Sequence, residues 1–249
     1  MGELKPPRTI IIIQARLNST RLPGKVLLDI AGNTLLGRVV HRAARAGRVD
    51  QVVVATTTNP QDDAIIMECV RLGVPCLRGE ELDVLARYRS AATASNAAAI
   101  VRITADCPFI DPQIIDNVVA EFHAHDVDYA SNTQIRCWPR GLDVEIFTRA
   151  ALERAWEEAH ASWERVHVTP YIYQHPEIFR IHAVVAEEDY SHLRWTVDTA
   201  EDLALTRTLY QHLNGRDDFN WREALAVVER IPELAEINRQ VRQKSLAEG

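Results

Sequence analysis

Residues 9–13 form a continuous apolar, β-branched run with no polar alternation, which reads as a strand buried on both faces. Comparable runs fill residues 51–57 and 99–104, and a shorter one fills 76–78. Between the first two, Leu35, Leu36, Val39, Val40 and Ala43 recur at the spacing of one helical face, predicting a helix over 35–45 capped by Asn33 or Thr34. Further helices are predicted over 62–72, behind Asn59-Pro60, over 82–95, and from Asp111-Pro112 to about 123. Strand and helix alternating in this way specify a mostly parallel sheet covered on both faces.

After about residue 126 the rhythm changes. Strands are predicted over 128–132, 142–147, 179–185 and 193–197, and helices near 149–160 and 200–212. This half reads as the remaining strands plus a lobe, over approximately 128–192, at the sheet's carboxyl edge. Closing helices are expected over 221–244. With no internal repeat, low-complexity stretch or linker, residues 1–249 are read as a single domain.

Composition narrows the function classes. A formal charge of −7 and a pI of about 5.7 leave no basic surplus for neutralising many phosphates, which disfavours a nucleic-acid partner. No apolar run approaches the roughly 18 residues that span a bilayer, so no membrane partner is expected. Residues 1–8 carry no apolar stretch ahead of a cleavage site, and the expectation is a cytoplasmic protein with reduced thiols. Cys69, Cys76, Cys107 and Cys137 form no C-x-x-C pair, which argues against zinc. Arg outnumbers Lys 25 to 3, and Lys5 and Lys244 lie near the ends, so Lys25 stands alone in the body. A compact ammonium and a planar guanidinium are not equivalent at a phosphate.

Lys25 lies in an unusually long connection. Residues 14–25, Gln-Ala-Arg-Leu-Asn-Ser-Thr-Arg-Leu-Pro-Gly-Lys, follow the first strand where about 2–6 residues are usual. The loop leaves a strand's carboxyl end, where open α/β sheets bind ligands, and carries Arg16, Arg21 and Lys25. These cations, with backbone N–H groups near Gly24, could hold a triphosphate. It is not a Walker A loop, since Ser19 replaces the first Gly and Val26 follows Lys25, and G-x-G-x-x-G is absent.

The segment from Ile11 to Lys25 resembles the nucleotide loop of the acylneuraminate and 3-deoxy-manno-octulosonate cytidylyltransferases, and is closest to their spore coat polysaccharide biosynthesis branch. Later landmarks of that branch are matched by Arg102-Ile103-Thr104-Ala105-Asp106-Cys107-Pro108, Pro139-Arg140-Gly141-Leu142-Asp143-Val144-Glu145, His167-Val168-Thr169-Pro170-Tyr171 and Arg194-Trp195-Thr196-Val197-Asp198 with the following Thr199 to Leu203. The resemblance covers roughly residues 9–212. It implies a three-layer, Rossmann-like nucleotide-diphosphosugar transferase fold with a seven-stranded mixed sheet and a small dimerisation lobe. It implies transfer of CMP from CTP to an acidic sugar, release of pyrophosphate, Mg2+ as cofactor and a homodimer.

By the same match Arg16, Lys25 and Asp106 would be catalytic, and Gln14, Ala15, Arg16, Arg21, Lys25 and Asp106 would bind the nucleotide. Asp106 and Asp198 would hold the metal. Read from the residues themselves, Arg140, Asp143 and Glu145 suit contacts to the acceptor or the metal, His167 and Tyr171 a lining of the acceptor pocket, and Arg194 a contact to an acceptor carboxylate. Two departures concern that acceptor: Cys107 stands where the octulosonate enzymes carry Glu, and Val166 stands where the branch carries an acid before His-Val-Thr.

The chemistry fits these residue types. Two anions must be brought together, and Mg2+ takes oxygen ligands, commonly one or two carboxylates plus phosphate. Asp106 follows one predicted buried strand and Asp198 ends another, so parallel neighbours would bring their carboxyl ends together. Both aspartates also read as helix-start residues. Arg140, Asp143 and Glu145 equally suit an ion pair, and Arg194 equally suits an acid partner. His123 and His125 read as a solvated helix end, Trp156, Trp163 and Trp221 as core or interface. Cys107 has no adjacent His to activate it. Competing readings are a nucleotidylyltransferase for a phosphorylated or phosphonate acceptor, a metal-dependent glycosyltransferase using Asp126-Val127-Asp128, and a non-catalytic nucleotide binder.

Overall fold

The structure, a computed structural model, describes residues 8–244. The segment read for an export signal and Lys5 lie outside the described residues, apart from Arg8.

The elements follow the predicted alternation. β1 (Arg8–Gln14) leads through the long loop and a single 3-10 turn to a small hairpin, β2 (Asp29–Ile30) and β3 (Asn33–Thr34). α1 (Leu35–Ala43), β4 (Gln51–Thr57), α2 (Asp63–Leu72), β5 (Cys76–Gly79), α3 (Val84–Ala94), β6 (Ala97–Thr104) and α4 (Pro112–Ala124) follow. The second half adds β7 (Tyr129–Ser131), β8 (Glu145–Thr148), α5 (Arg149–Glu158), α6 (Ser162–His167), α7 (Pro170–Tyr173), β9 (Ile181–Ala183), α8 (Ala200–His212), α9 (Trp221–Arg230) and α10 (Glu233–Glu236).

Seven strands form one sheet in the order β5-β4-β1-β6-β8-β7-β9. Only β8 runs against its neighbours; every other pair is parallel. Both faces are covered, as the unbroken apolar runs require. Ile11 and Ile13 point into a core shared with α1, α4, α8 and α9, whereas Ile10 and Ile12 point into a second core with α3 and α5. This is the three-layer α/β architecture expected. Local signals set the ends: the Thr34 side chain accepts from Gly37 N at 2.9 Å, and Asp83 and Asp111 cap α3 and α4 in the same way.

One predicted strand is absent. Residues 193–197 make only a single bridge, Arg140 to Arg194, and do not extend the sheet. The reason is topological: β1 and β8 already occupy both edges of β6. The run instead crosses the carboxyl rim, where Val197 N donates to Asp106 O at 2.8 Å and Trp195 N to Arg140 O at 2.6 Å. Its apolar content serves packing, with Trp195 buried against Phe109. Gly141 permits this crossing. Its φ is +110°, and a Cβ there would lie 2.6 Å from Thr196 N.

The other differences are smaller. Residues 162–173 contain α6, which packs beside α3, and α7, which packs against α6 and α5, where no element had been expected. Beyond α10 the chain does not continue as helix; it returns to the rim, where Arg194 Nη1 donates to Gln243 Oε1 at 2.8 Å.

Candidate active site at the carboxyl rim

The carboxyl ends of β1 and β6 and the start of β8 open on one cleft of about 780 Å³. At its centre Lys25, nearly buried, is held by three acceptors. Its Nζ donates to Asp106 Oδ2 at 2.7 Å, Asp198 Oδ1 at 2.9 Å and Val197 O at 2.8 Å. Gly24, in the left-handed region at φ +71°, turns the loop so that Lys25 points inward, and Gly24 N closes the loop onto Leu17 O at 2.8 Å. The two aspartates thus meet at one cation, although Asp198 arrives on a rim-crossing segment and not at the end of a neighbouring parallel strand.

Each carboxylate is fixed from behind. Asp106 Oδ1 accepts from the Thr104 hydroxyl at 2.6 Å. Burial alone would raise the Asp106 carboxyl, but Lys25 and these hydrogen bonds outweigh it and bring it down to about 2. Asp198 Oδ2 accepts from Arg21 at 2.9 Å and Arg194 at 2.7 Å. Arg194 is oriented by Asp202, which is buried and also accepts from the backbone N–H groups of Asp198 and Thr199 at 2.9 and 3.1 Å. Asp202, which the sequence shows only within the Thr199 to Leu203 landmark, closes a capping box with Thr199 and positions Arg194 as well.

The phosphate-loop residues border the same cleft. Gln14, Ala15, Arg16 and Arg21 line it together with Lys25 and both aspartates. Arg16 reaches Glu81 at 3.6 Å and Ala15 N donates to Ala55 O at 3.1 Å. The buried Asp62 accepts from Leu17 N at 2.8 Å and anchors the loop to the end of β4.

Of the residues assigned to an acceptor, Arg140, Asp143, Glu145 and His167 line the cleft. Asp143 takes a bidentate pair from Arg136 at 2.6 and 3.0 Å. Glu145 is buried, pairs with Arg102, and accepts from the hydroxyls of Tyr129 and Thr169 at 2.7 and 2.6 Å. Two residues are not brought to the cleft wall. Tyr171 turns away, its hydroxyl on Glu158 Oε2 at 2.6 Å, because α7 directs Tyr173 inward instead. Arg194 lies behind Asp198, its charge spent on Asp198 and Asp202. Sequence reasoning missed Arg87, Arg102, Arg136 and Tyr173, all lining the cleft. For Arg102 a signal existed, a cation inside an otherwise apolar strand.

Other candidate chemistry lies elsewhere or is disabled. The Cys107 thiol is pushed well up by burial and by Asp106, the reverse of an activated nucleophile. Asp126 and Asp128 pair with Arg180 and do not line the cleft. Glu121, His125 and His182 form the one cluster of three metal-ligating side chains among the described residues, also outside the cleft.

Comparison with known proteins bears on this arrangement. Residues 10–223 match the cytidylyltransferase family model. The spore coat polysaccharide biosynthesis protein SpsF of Bacillus subtilis is 34% identical over 241 residues, covering 91% of this chain and 96% of that protein. A 3-deoxy-manno-octulosonate cytidylyltransferase of Solibacter usitatus is 37% identical over 130 residues, about half of each chain. Among solved structures, a cytidylyltransferase from Leptospira borgpetersenii superposes with a TM-score of 0.89 at 32% identity, covering 96% of this chain and all of that one.

Proposed function

This chain belongs to the cytidylyltransferase family, and from that premise we propose that it transfers CMP from CTP to an acidic sugar of the nonulosonate or octulosonate kind, with Mg2+, in surface polysaccharide biosynthesis. The observation that carries this reading is the convergence of Asp106 and Asp198 on one cation beside the Arg16–Lys25 loop.

The donor set suits Mg2+: two carboxylates converge on a single positive charge, with hard oxygens and no soft ligand needed. Asp106 and Asp198 would hold it, and it would supply charge neutralisation on the phosphates and a more acidic acceptor hydroxyl. In the reaction, the acceptor hydroxyl oxygen bonds to the α-phosphorus and the bond from that phosphorus to the bridging α–β oxygen breaks. Pyrophosphate leaves and the hydroxyl proton passes to solvent. Arg16 and Arg21 bind the phosphates, and Lys25 stabilises charge on them as it develops.

An acidic acceptor is supported by Arg140. It lines the cleft, has no ion-pair partner among the described residues, and is pushed down by burial and by neighbouring Arg136, so it gains from a carboxylate. A glycosyltransferase reading loses its motif, since the Asp126–Asp128 pair is remote from the cleft. The test is pyrophosphate release from CTP and Mg2+ across a panel of 2-keto-3-deoxy sugar acids, with neutral sugars and phosphorylated alcohols as controls. Turnover with a keto acid and not with the controls is expected. Turnover confined to phosphorylated alcohols would replace the acceptor, and consumption of UDP-sugars in place of CTP would replace the reaction.

A further inference from the structure

Residues 237–244 lie beyond the span 10–223 that matches the family model, and they return to the cleft. Past α10 this segment forms turns, yet it is tied to the site at four places. Asn238 is only 4% exposed, and its Nδ2 donates to Arg194 O at 2.9 Å and to Asp202 Oδ1 at 2.8 Å. Arg242 O accepts from Arg21 Nη1 at 3.3 Å, and Gln243 Oε1 accepts from Arg194 Nη1 at 2.8 Å. Arg21 and Arg194 are the two guanidinium groups on Asp198 Oδ2. The segment therefore grips, from behind, both arginines that hold Asp198.

The fourth tie is of a different kind. Lys244 lines the cleft, its Nζ donates to Thr20 Oγ1 at 3.2 Å, and it makes no ion pair among the described residues. An ammonium carries three donors and a full charge, and one hydroxyl answers only a single donor. Ordering a long, flexible side chain also costs rotamer entropy, which one neutral acceptor offsets poorly. The place suits an anion. Strand order says which one. Asp106 follows β6, which stands between β1 and β8. Arg140 and Asp143, on the acceptor side, precede β8, whereas Thr20 lies in the loop after β1. In an in-line displacement the attacking and leaving oxygens stand on opposite sides of phosphorus. With the α-phosphorus at the aspartate pair, an acceptor on the β8 side sends pyrophosphate toward the β1 loop, where Thr20 and Lys244 meet.

We propose that Lys244 binds the pyrophosphate portion of the nucleotide, and that Asn238 is the positioning residue that holds its segment in place. This rests on the CTP-using reaction proposed for the site. The β- and γ-phosphates arrive where Arg21 and Lys25 are already matched by carboxylates, so Lys244 supplies charge that no protein group has neutralised. As the bond from the α-phosphorus to the bridging oxygen breaks, negative charge grows on the departing pyrophosphate, and the ammonium stabilises it. Because Asn238 also touches Asp202 and the Arg194 backbone, the Asp198 side of the site and the pyrophosphate cation share one anchor.

The test measures binding by titration calorimetry in Mg2+ buffer, with inorganic pyrophosphate, CTP and CMP as probes. It uses the 249-residue chain as wild type, Lys244→Met, Lys244→Arg, Asn238→Leu and the double variant Asn238→Leu with Lys244→Met. Lys244→Met should weaken pyrophosphate and CTP alike, by about fivefold or more, and leave CMP within about twofold. The loss should shrink as salt is raised, and Lys244→Arg should recover most of it. Asn238→Leu should weaken pyrophosphate by a similar factor, and adding Lys244→Met to it should cost little more, since the anchor has already released the segment. Losses that add in full would overturn the positioning role. Unchanged pyrophosphate affinity in Lys244→Met would overturn the proposal, as would a loss for CMP as large as that for CTP. A raised KM for the acid sugar with pyrophosphate binding intact would make Lys244 a carboxylate ligand and overturn it too. Wild type that binds pyrophosphate but neither CTP nor CMP would instead overturn the nucleotide reading. Lys244→Met should melt with wild type, and if Asn238→Leu does not fold, Gln243→Leu, which frees Arg194 Nη1, takes its place in the cycle.

Discussion

Replacing Lys25 by Met removes the cation on which the site is organised and keeps an unbranched side chain one atom shorter. In the folded chain the ammonium is surrounded by Asp106, Asp198 and the Val197 carbonyl at 2.7–2.9 Å. Without it, two carboxylates face each other across a largely desolvated gap. Lys25 is the leading favourable influence that brings the Asp106 carboxyl from its ordinary 3.8 down to about 2, a difference of roughly 2.5 kcal/mol at 1.36 kcal/mol per pH unit. Thr104 and Cys107 supply part of that, whereas a broken buried pair typically costs about 3–5 kcal/mol. A loss of about 2–3 kcal/mol is the balanced expectation, which in a chain of this size lowers Tm by roughly 5–10 °C. The depressed Asp106 value also fixes the pH window. Its stabilisation is fully present above about pH 4 and is lost as pH falls toward about 2. The gap between wild type and Lys25→Met should therefore be widest near neutral pH and close in acid. Scanning calorimetry with and without Mg2+ provides the second arm, independent of turnover. Mg2+ should raise Tm more in the variant, where it meets two uncompensated carboxylates, than in wild type, where Lys25 competes. A variant that melts with wild type at pH 7, or that gains no more from Mg2+ than wild type does, would refute both the electrostatic account and the assignment of the aspartates to a metal.

Three further outcomes are expected. Gly141→Ala places a Cβ 2.6 Å from Thr196 N, and should lower kcat by about tenfold or more by displacing the segment that carries Asp198, with Tm and turnover measured together; unaltered turnover would show that the crossing is not rigid. Arg42, fully buried and donating to the Ile110, Phe109, Asp217 and Phe219 carbonyls, should cost about 3 kcal/mol or more in stability as Arg42→Met, read by urea unfolding, while cleft residues keep their nucleotide affinity in the fraction that folds. Thr34→Ala removes the cap on Gly37 N and a bond to Glu68, and should cost about 1 kcal/mol by the same assay without changing KM for CTP.

The parts of this fold that were legible from sequence are those fixed by local chemistry. The apolar runs at residues 9–13, 51–57 and 99–104 became β1, β4 and β6 because nothing but burial on both faces suits five or more consecutive β-branched or small residues. The loop was legible because its length and three cations are abnormal for a connection. Residues 193–197 misled because an apolar stretch ending in Asp looks the same whether it pairs in a sheet or packs across its rim; only the strand order decides, and that is a long-range property. Tyr171 and Tyr173 show the same limit on a smaller scale. Two residues apart on a short helix, they face different ways, and α7 itself gave no periodicity to read. Asp202 and Arg87 were concealed by ordinary helical surroundings. What distinguishes them is whether their partners are present, a property of the folded cleft that no spacing encodes.

Charge accounting ties these residues to one picture of the site. Lys25, Arg21 and Arg194 oppose Asp106, Asp198 and Asp202, so the cluster at the aspartate end is neutral as it stands. Arg136 and Arg102 are likewise matched by Asp143 and Glu145. The cations left over in the cleft are Arg87, Arg140 and Lys244, with Arg16 only loosely held at 3.6 Å from Glu81. They sit apart from the neutral centre, Arg140 on the rim crossing shared with residue 194, Lys244 on Thr20 of the loop, and Arg16 with Arg87 near β4 and β5. A substrate pair that brings phosphates and a carboxylate would meet such cations in place, and a divalent cation at Asp106 and Asp198 would free Lys25 to meet the phosphates. A neutral acceptor would leave Arg140 unmatched, which is why the acidic panel discriminates: if neutral sugars turn over as well as keto acids, the surplus of charge at Arg140 has some other purpose and this electrostatic account of the acceptor fails.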